Sequence, residues 1–354
     1  MEPALPPAFD LRRDGPAVAL LLGVALALFA PLTSLPFWCA DDWRHVDLGA
    51  GLAAGDPRAW WLAFTGQTNT DAARFVAKIT WGLDFALFGF APRGYFATNL
   101  VVVLGIGLGA WGVVRRRASA AISLCAASTF VFGAAALQPL VYLSSREDAM
   151  AALFATLAAA GWPWLRRRRG GIALAGALVL LAGLSKPSAM AQAPGLLVLV
   201  ELLERRVRPA VWSEGRLGLA LAGVVAVSGA LLLAALNLPE LLAEGGVSAS
   251  APLASSSMLI RRLGLLGAAS VANGGGLSWL DGLRLGLLAG ALLLGILLRR
   301  GQGELLVLGL GWVAMSAGPV LSWLLREGER GDVAGRYFLL PAVGAAILLA
   351  GALP

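Results

Sequence analysis

Uncharged apolar stretches long enough to cross a bilayer recur along this chain, and they restrict its fold more than any other feature. Residues 17–37, 94–114, 217–239 and 305–325 contain no Asp, Glu, Lys or Arg. Each reaches the roughly 20 residues that a helix needs to span the hydrocarbon core. Charged residues make up only 14% of the sequence and hydrophobic residues 58%, whereas soluble domains are about a quarter charged. A soluble globular domain is therefore excluded. The expected fold class is all-α, a polytopic membrane helical bundle forming a single integral membrane domain over 1–354. The 45 glycines are tolerable in such helices and let them approach closely.

The net charge of +7 raises the question of nucleic acid, but its distribution answers against it. Arginines fall in short clusters between apolar runs, as topology signals do. Arg12-Arg13, Arg115–Arg117, Arg166–Arg169, Arg205/Arg206/Arg208 and Arg299-Arg300 are expected in the cytoplasm. About ten spans follow, near 17–37, 94–114, 119–140, 149–165, 170–185, 187–204, 217–238, 283–298, 305–325 and 337–354. Both termini then lie on the cytoplasmic side of a bacterial inner (plasma) membrane, and two-thirds of the acidic residues face outward. Arg12-Arg13 before an apolar run resembles a signal peptide, but the run ends in Phe37-Trp38 without a small-residue cleavage site, so it reads as an uncleaved first span.

Two outer segments stand out. Residues 38–93 form the first periplasmic loop, long and amphipathic. Trp38, Trp43, Trp60, Trp61, Trp81 and Tyr95 lie in it or at its end, and such residues prefer the headgroup level. Ala73–Phe90 reads as an amphipathic helix lying on the membrane. Residues 239–282 form the second periplasmic segment, in which 255–278 reads as an interfacial helix rather than a span. Residues 170–200 read as two short helices meeting at Ser185-Lys186-Pro187-Ser188, not as one broken helix. Cys39 and Cys125 are expected to be unpaired.

Four constellations carry chemistry. Asp41-Asp42 follows the first span directly; adjacent carboxylates raise one pKa and poise a base, or else they cap a helix. Arg146-Glu147-Asp148 opens the fourth span, where acids also suit a helix N-terminus. Lys186 is one of only two lysines and lies between two short apolar helices. A cation near membrane depth is costly and marks function, here a hold on a lipid-borne phosphate; the alternative is a snorkelling lysine. Arg336-Tyr337 opens the last span, and arginine binds phosphate bidentately or anchors at the interface. Arg261, Arg262, Arg74 and Lys78 are candidates for the same anionic site. His45 is the single histidine, so no zinc-type cluster and no Ser–His–Asp set can be assembled.

In order along the chain, "DDWRHVDLGAGLAAGDPRAWW", "GLDFALFGFAPRGYFATNL", "VYLSSREDAMAALF", "LAGLSKPSAMAQAPGLLVLVELLE" and "GRYFLLPAVGAAILL" resemble the GT-C superfamily of polyprenyl-phosphate-sugar glycosyltransferases. The likeness is to bacterial relatives of the protein O-mannosyltransferases and of the transmembrane/tetratricopeptide mannosyltransferases. It runs from about residue 15 to the C-terminus, with "YFATNL" where the family has its histidines and Lys186-Pro187 where it has Lys-Glu. The resemblance implies a GT-C-like bundle and an inverting transfer of a sugar from a lipid-phosphate donor to an acceptor protein, glycan or lipid. It implies Asp41 as base and Lys186 and Arg336 on the donor phosphate; beside these, the residues themselves suggest Asp42 in support of Asp41 and Arg146, Arg261 and Arg262 as further donor-phosphate candidates. Glu147, Asp148, Arg74, Lys78 and Tyr337 are the supporting or acceptor-side candidates. No cofactor is expected, with a divalent metal left open; the expected partners are the lipid-linked sugar, its acceptor and membrane lipids, and no nucleic acid. The competing readings are a transporter or binding protein for an anionic lipid-linked sugar, and a catalytically inactive relative.

Overall fold

The computed structural model describes residues 11–37, 40–65, 74–186, 189–207, 303–313, Ser316 and 339–352. The expected spans at 217–238 and 283–298 and the interfacial segment 255–278 lie outside the described residues, as do Arg261, Arg262, Arg336 and Tyr337. Among the described residues, all regular structure is helical. Helices Arg12–Ser34 and Pro92–Arg115 are long and apolar enough to cross a membrane, and the bent pair Ala120–Val131 and Ala135–Val141 is a third candidate.

In chain order, α1 (Leu11–Phe29) runs into a 3-10 turn, Ala30–Ser34, and is followed by α2 (Ala40–Ala53), α3 (Pro57–Thr65), α4 (Phe75–Phe88) and α5 (Pro92–Arg115). Then come α6 (Ala120–Val131), α7 (Ala134–Val141), a 3-10 turn Leu143–Ser145, α8 (Arg146–Leu165), α9 (Gly171–Ser185) and α10 (Ala189–Val207). Helices Gly303–Val313 and Leu339–Ala352 follow. Within the one domain expected, the chain groups into two compact units.

The first unit comprises Met1–Leu21, Ala110–Gln138 and Ser248–Pro354. Buried Arg115 donates from Nε to buried Asp14 at 2.8 Å, joining the start of α1 to the end of α5. Ser119 caps α6 by accepting from the Ile122 amide at 3.3 Å, a standard way to satisfy a free helix N–H. α6 packs on helix Leu339–Ala352, and Trp312 donates to the Leu340 carbonyl at 3.1 Å. The sequence predicts a single span over 119–140, but the helix breaks at Phe132-Gly133 with a 49° bend. A Cβ on Gly133 would come within 2.7 Å of the Thr129 carbonyl, so only glycine lets the chain turn this tightly.

The second unit comprises Leu22–Gly109 and Pro139–Val247. α8 is its centre and packs against both α9 and α10, which pack on each other. α9 starts after Gly170, whose φ of 76° is left-handed, and stops at Lys186, extended at φ −153° and ψ 123°. The proline at 187 explains that stop, because it disfavours helical geometry in the residue before it. The two-helix reading of 170–200 therefore matches the element boundaries. α2 lies tightly on α4: a Cβ on Gly49 would sit 2.7 Å from the Trp81 carbonyl, and one on Gly82 would sit 2.9 Å from the Leu52 Cβ.

α4 departs from the expectation for Ala73–Phe90. It is a helix, but its polar residues Lys78 and Asp84 are buried, while Leu83, Leu87 and Phe88 are exposed. A helix resting on the interface would turn its charges toward water; this one turns them inward. Trp81 and Tyr95, expected at the headgroup level, are fully buried instead. They pack with Phe37, Val46, Phe96 and Leu143, and Trp81 stacks on His45 at 3.7 Å. Trp43, Trp60 and Trp61 are exposed. Along α1, Leu20, Val24, Leu26 and Leu28 also face outward. An apolar exterior over a charged interior is the arrangement that suits lipid as solvent.

Candidate functional site

The candidate site is built at the N-terminal end of α8, inside the second unit. Three consecutive charged residues open this helix, and each meets an opposite charge from another part of the chain. Arg146 pairs with Asp84 of α4 at 2.5 Å, Glu147 pairs with Arg74 just before α4, and Asp148 pairs with Lys186 at the end of α9. Successive helical positions point about 100° apart, so a run of three charges can reach three neighbours. Glu147 and Asp148 also lie in the first turn, where the helix dipole favours acids.

Arg146 is the centre of this network and is completely buried. Its Nε donates to the Asn99 side chain, Nη2 to the Tyr95 carbonyl at 2.7 Å, and Nη1 to both Asp84 and, at 3.4 Å, Thr80. Asn99 in turn donates to the Pro139 carbonyl. The guanidinium is thus bound up inside the protein, joining α4, α5 and α8. Burial pushes the Asp84 carboxyl up from its ordinary value, and Arg146 and a 2.8 Å hydrogen bond from Thr98 pull it back. Among the described phosphate candidates, Arg146 has its donors engaged by Asn99, Tyr95, Asp84 and Thr80 in the interior, and Lys186 donates to Asp148.

Asp41 and Asp42 both fall in the first turn of α2. Asp42 is buried, and its carboxylate accepts from the Leu143 amide at 3.1 Å. This bond ties the start of α2 to the 3-10 turn that leads into Arg146-Glu147-Asp148. Lys78 is buried and donates to the Leu62 carbonyl at 3.2 Å, linking α4 to α3. Asp42, Arg74, Lys78, Glu147, Asp148 and Lys186 therefore share one end of the second unit. The peripheral pairs retain contact with solvent: side-chain exposure is 20% at Arg74 and 14% at Lys186, against 0% at Arg146.

Sequence reasoning did not single out Asp84 or Asn99. The signal was present, since an acid and an amide stand inside otherwise apolar stretches, and polar residues in such places are costly and need partners. Glu201 of α10 is a third case. It is buried, accepts from Arg166 at 2.8 and 2.7 Å, and accepts from the Trp162 indole at 2.7 Å.

Among the described residues, no group of three or more His, Cys, Asp or Glu is placed to hold a metal ion. No family model, curated protein or solved structure matches this chain.

Proposed function

We propose that this chain is a membrane glycosyltransferase of the GT-C type, moving a sugar from a polyprenyl-phosphate donor to an acceptor hydroxyl on the periplasmic side. It crosses a bacterial inner membrane about ten times, with both termini in the cytoplasm. The observation that carries the reading is the convergence of Asp42, Glu147, Asp148 and Lys186 at one end of the second unit. These four residues were singled out separately in the sequence, as candidate acids and as a candidate phosphate cation.

The chemistry follows from what that end contains. The donor's lipid lies in the bilayer, so its phosphate sits at headgroup level and needs cations there. Lys186 supplies one at the end of an apolar helix; Arg336, which lies outside the described residues, is the second candidate by its chemistry, since its planar fork suits phosphate. Asp41 takes the proton of the acceptor hydroxyl as its oxygen attacks the anomeric carbon from the face opposite the phosphate. The new bond joins that carbon to the acceptor oxygen, the bond to the phosphate oxygen breaks, and polyprenyl phosphate leaves with the electron pair. Asp42, held by the Leu143 amide, fixes the turn of α2 on which Asp41 stands.

The test is transfer from a polyprenyl-phosphate sugar by the purified full chain. A positioned general base contributes about 10²–10⁴ in rate. Asp41→Asn should therefore lose at least about 100-fold in turnover while still binding donor, because the amide keeps the shape but takes no proton. Turnover of this variant near the wild-type rate removes Asp41 from the mechanism.

A further inference from the structure

Asp148 does more at this end than begin a helix, and the proposal that follows rests on the reading of Lys186 as the donor-phosphate cation. Lys186 is extended and ends α9, and its ammonium pairs with the carboxylate of Asp148 in the first turn of α8. Both side chains are largely enclosed, at 14% and 8% exposure. The neighbouring pair, Arg74 with Glu147, repeats this arrangement one residue earlier on α8. An incoming phosphate is therefore drawn to a cation already matched by a carboxylate, with a second acid adjacent in sequence.

We infer that Asp148 is the internal competitor of the donor phosphate: it holds Lys186 in place when the site is empty and yields it to the lipid-borne phosphate on binding. The arrangement has two consequences. An empty site keeps no isolated ammonium in a low-dielectric setting, where an unpaired charge is expensive. Donor affinity is also moderated, because phosphate gains only the difference between its own hold on Lys186 and that of Asp148. Only the ion pair changes partners; no covalent bond is made or broken. Asp148 is a positioning residue here, acting on the donor through Lys186.

The wild-type protein provides the first arm of the test. A carbodiimide joins an amine to a carboxylate without a spacer, so it should link Lys186 to Asp148 in the empty protein, read as a joined peptide by mass spectrometry. Saturating polyprenyl phosphate should suppress this link, and polyprenol, which lacks the phosphate, should leave it intact. Inorganic phosphate separates a free anion from a lipid headgroup: suppression by it alone would overturn the lipid source. A link whose yield is indifferent to polyprenyl phosphate overturns the competition.

The second arm measures binding of polyprenyl phosphate to variants. Asp148→Asn should bind about three- to tenfold more tightly than wild type, because it removes the charge that competes with phosphate for Lys186. Lys186→Met should weaken binding by at least about tenfold, as loss of a charge-assisted contact does. If Lys186→Met weakens binding while Asp148→Asn leaves it unchanged, the donor site stands and the competitor role fails. If wild type does not bind polyprenyl phosphate at all, both the donor site and the competitor role fall.

Discussion

α8 is charged at both ends, and its two ends use charge differently. Its 20 residues span about 30 Å at 1.5 Å per residue, close to the thickness of a hydrocarbon core. At the C-terminal end, Arg166 and Glu201 form a sealed pair: both are buried, and Glu201 is also bound by the Trp162 indole. Arg167, Arg168 and Arg169 continue outward as an exposed run, with Arg168 stacked 3.9 Å over the ring of Trp164. At the N-terminal end, ion pairs join residues from α4, α8, α9 and the approach to α4. The first pattern suits a helix that must be oriented and closed off. The second suits a place where an anion and an acceptor can be exchanged, because its outer pairs remain within reach of solvent.

If that contrast is right, the largest structural effect belongs to the node that joins most elements. Arg146→Met leaves Asp84 buried without its cation and should cost about 3–5 kcal/mol, the range for breaking a buried pair from one side. Arg166→Met joins only α8 to α10 and should fall at the lower end of that range. Thermal unfolding of the purified full chain gives both values, and a larger loss at Arg166 would reverse the ranking of the two ends.

A smaller effect tests the packing that supports the site. Gly49→Ala places a methyl 2.7 Å from the Trp81 carbonyl, and forcing α2 from α4 should cost about 1–3 kcal/mol. The same denaturation measurement serves, and a neutral result would mean that the close approach of α2 and α4 does not constrain the site. The smallest effect is expected at the other end of α8. Arg168→Gln loses only its stacking on Trp164, about 0.5–1 kcal/mol at an exposed position, and should leave sugar transfer unchanged.

These contrasts were partly legible in the sequence. The limits of α8, α9 and α10 follow from the arginine runs and from Lys186-Pro187, because clustered charges and proline act locally and leave a local record. Asp42, Glu147, Asp148 and Lys186 stood out for the same reason, as charges beside apolar runs. What could not be read was who meets whom. Arg146 reaches Asp84 and Asn99, which lie 62 and 47 residues away, and no periodicity encodes such a partner. The sequence marks Arg146 as a phosphate candidate but does not show that its donors meet Asp84, Asn99, Thr80 and Tyr95. The inward turn of Lys78 and Asp84 on α4 was hidden too, because amphipathicity shows that a helix has two faces and not which solvent each face meets. The bend at Gly133 went unread because a single glycine within an apolar run is as compatible with a straight helix as with a broken one.

The central claim is that the N-terminal end of α8 receives the donor, and a structure of the full chain in lipid with bound polyprenyl phosphate tests it most directly. The account predicts head-group density beside Lys186, with Asp148 drawn away from it and Arg146 still bound to Asp84 and Asn99. Density beside Arg167–Arg169 with the Lys186 end empty and its ion pair intact would contradict it.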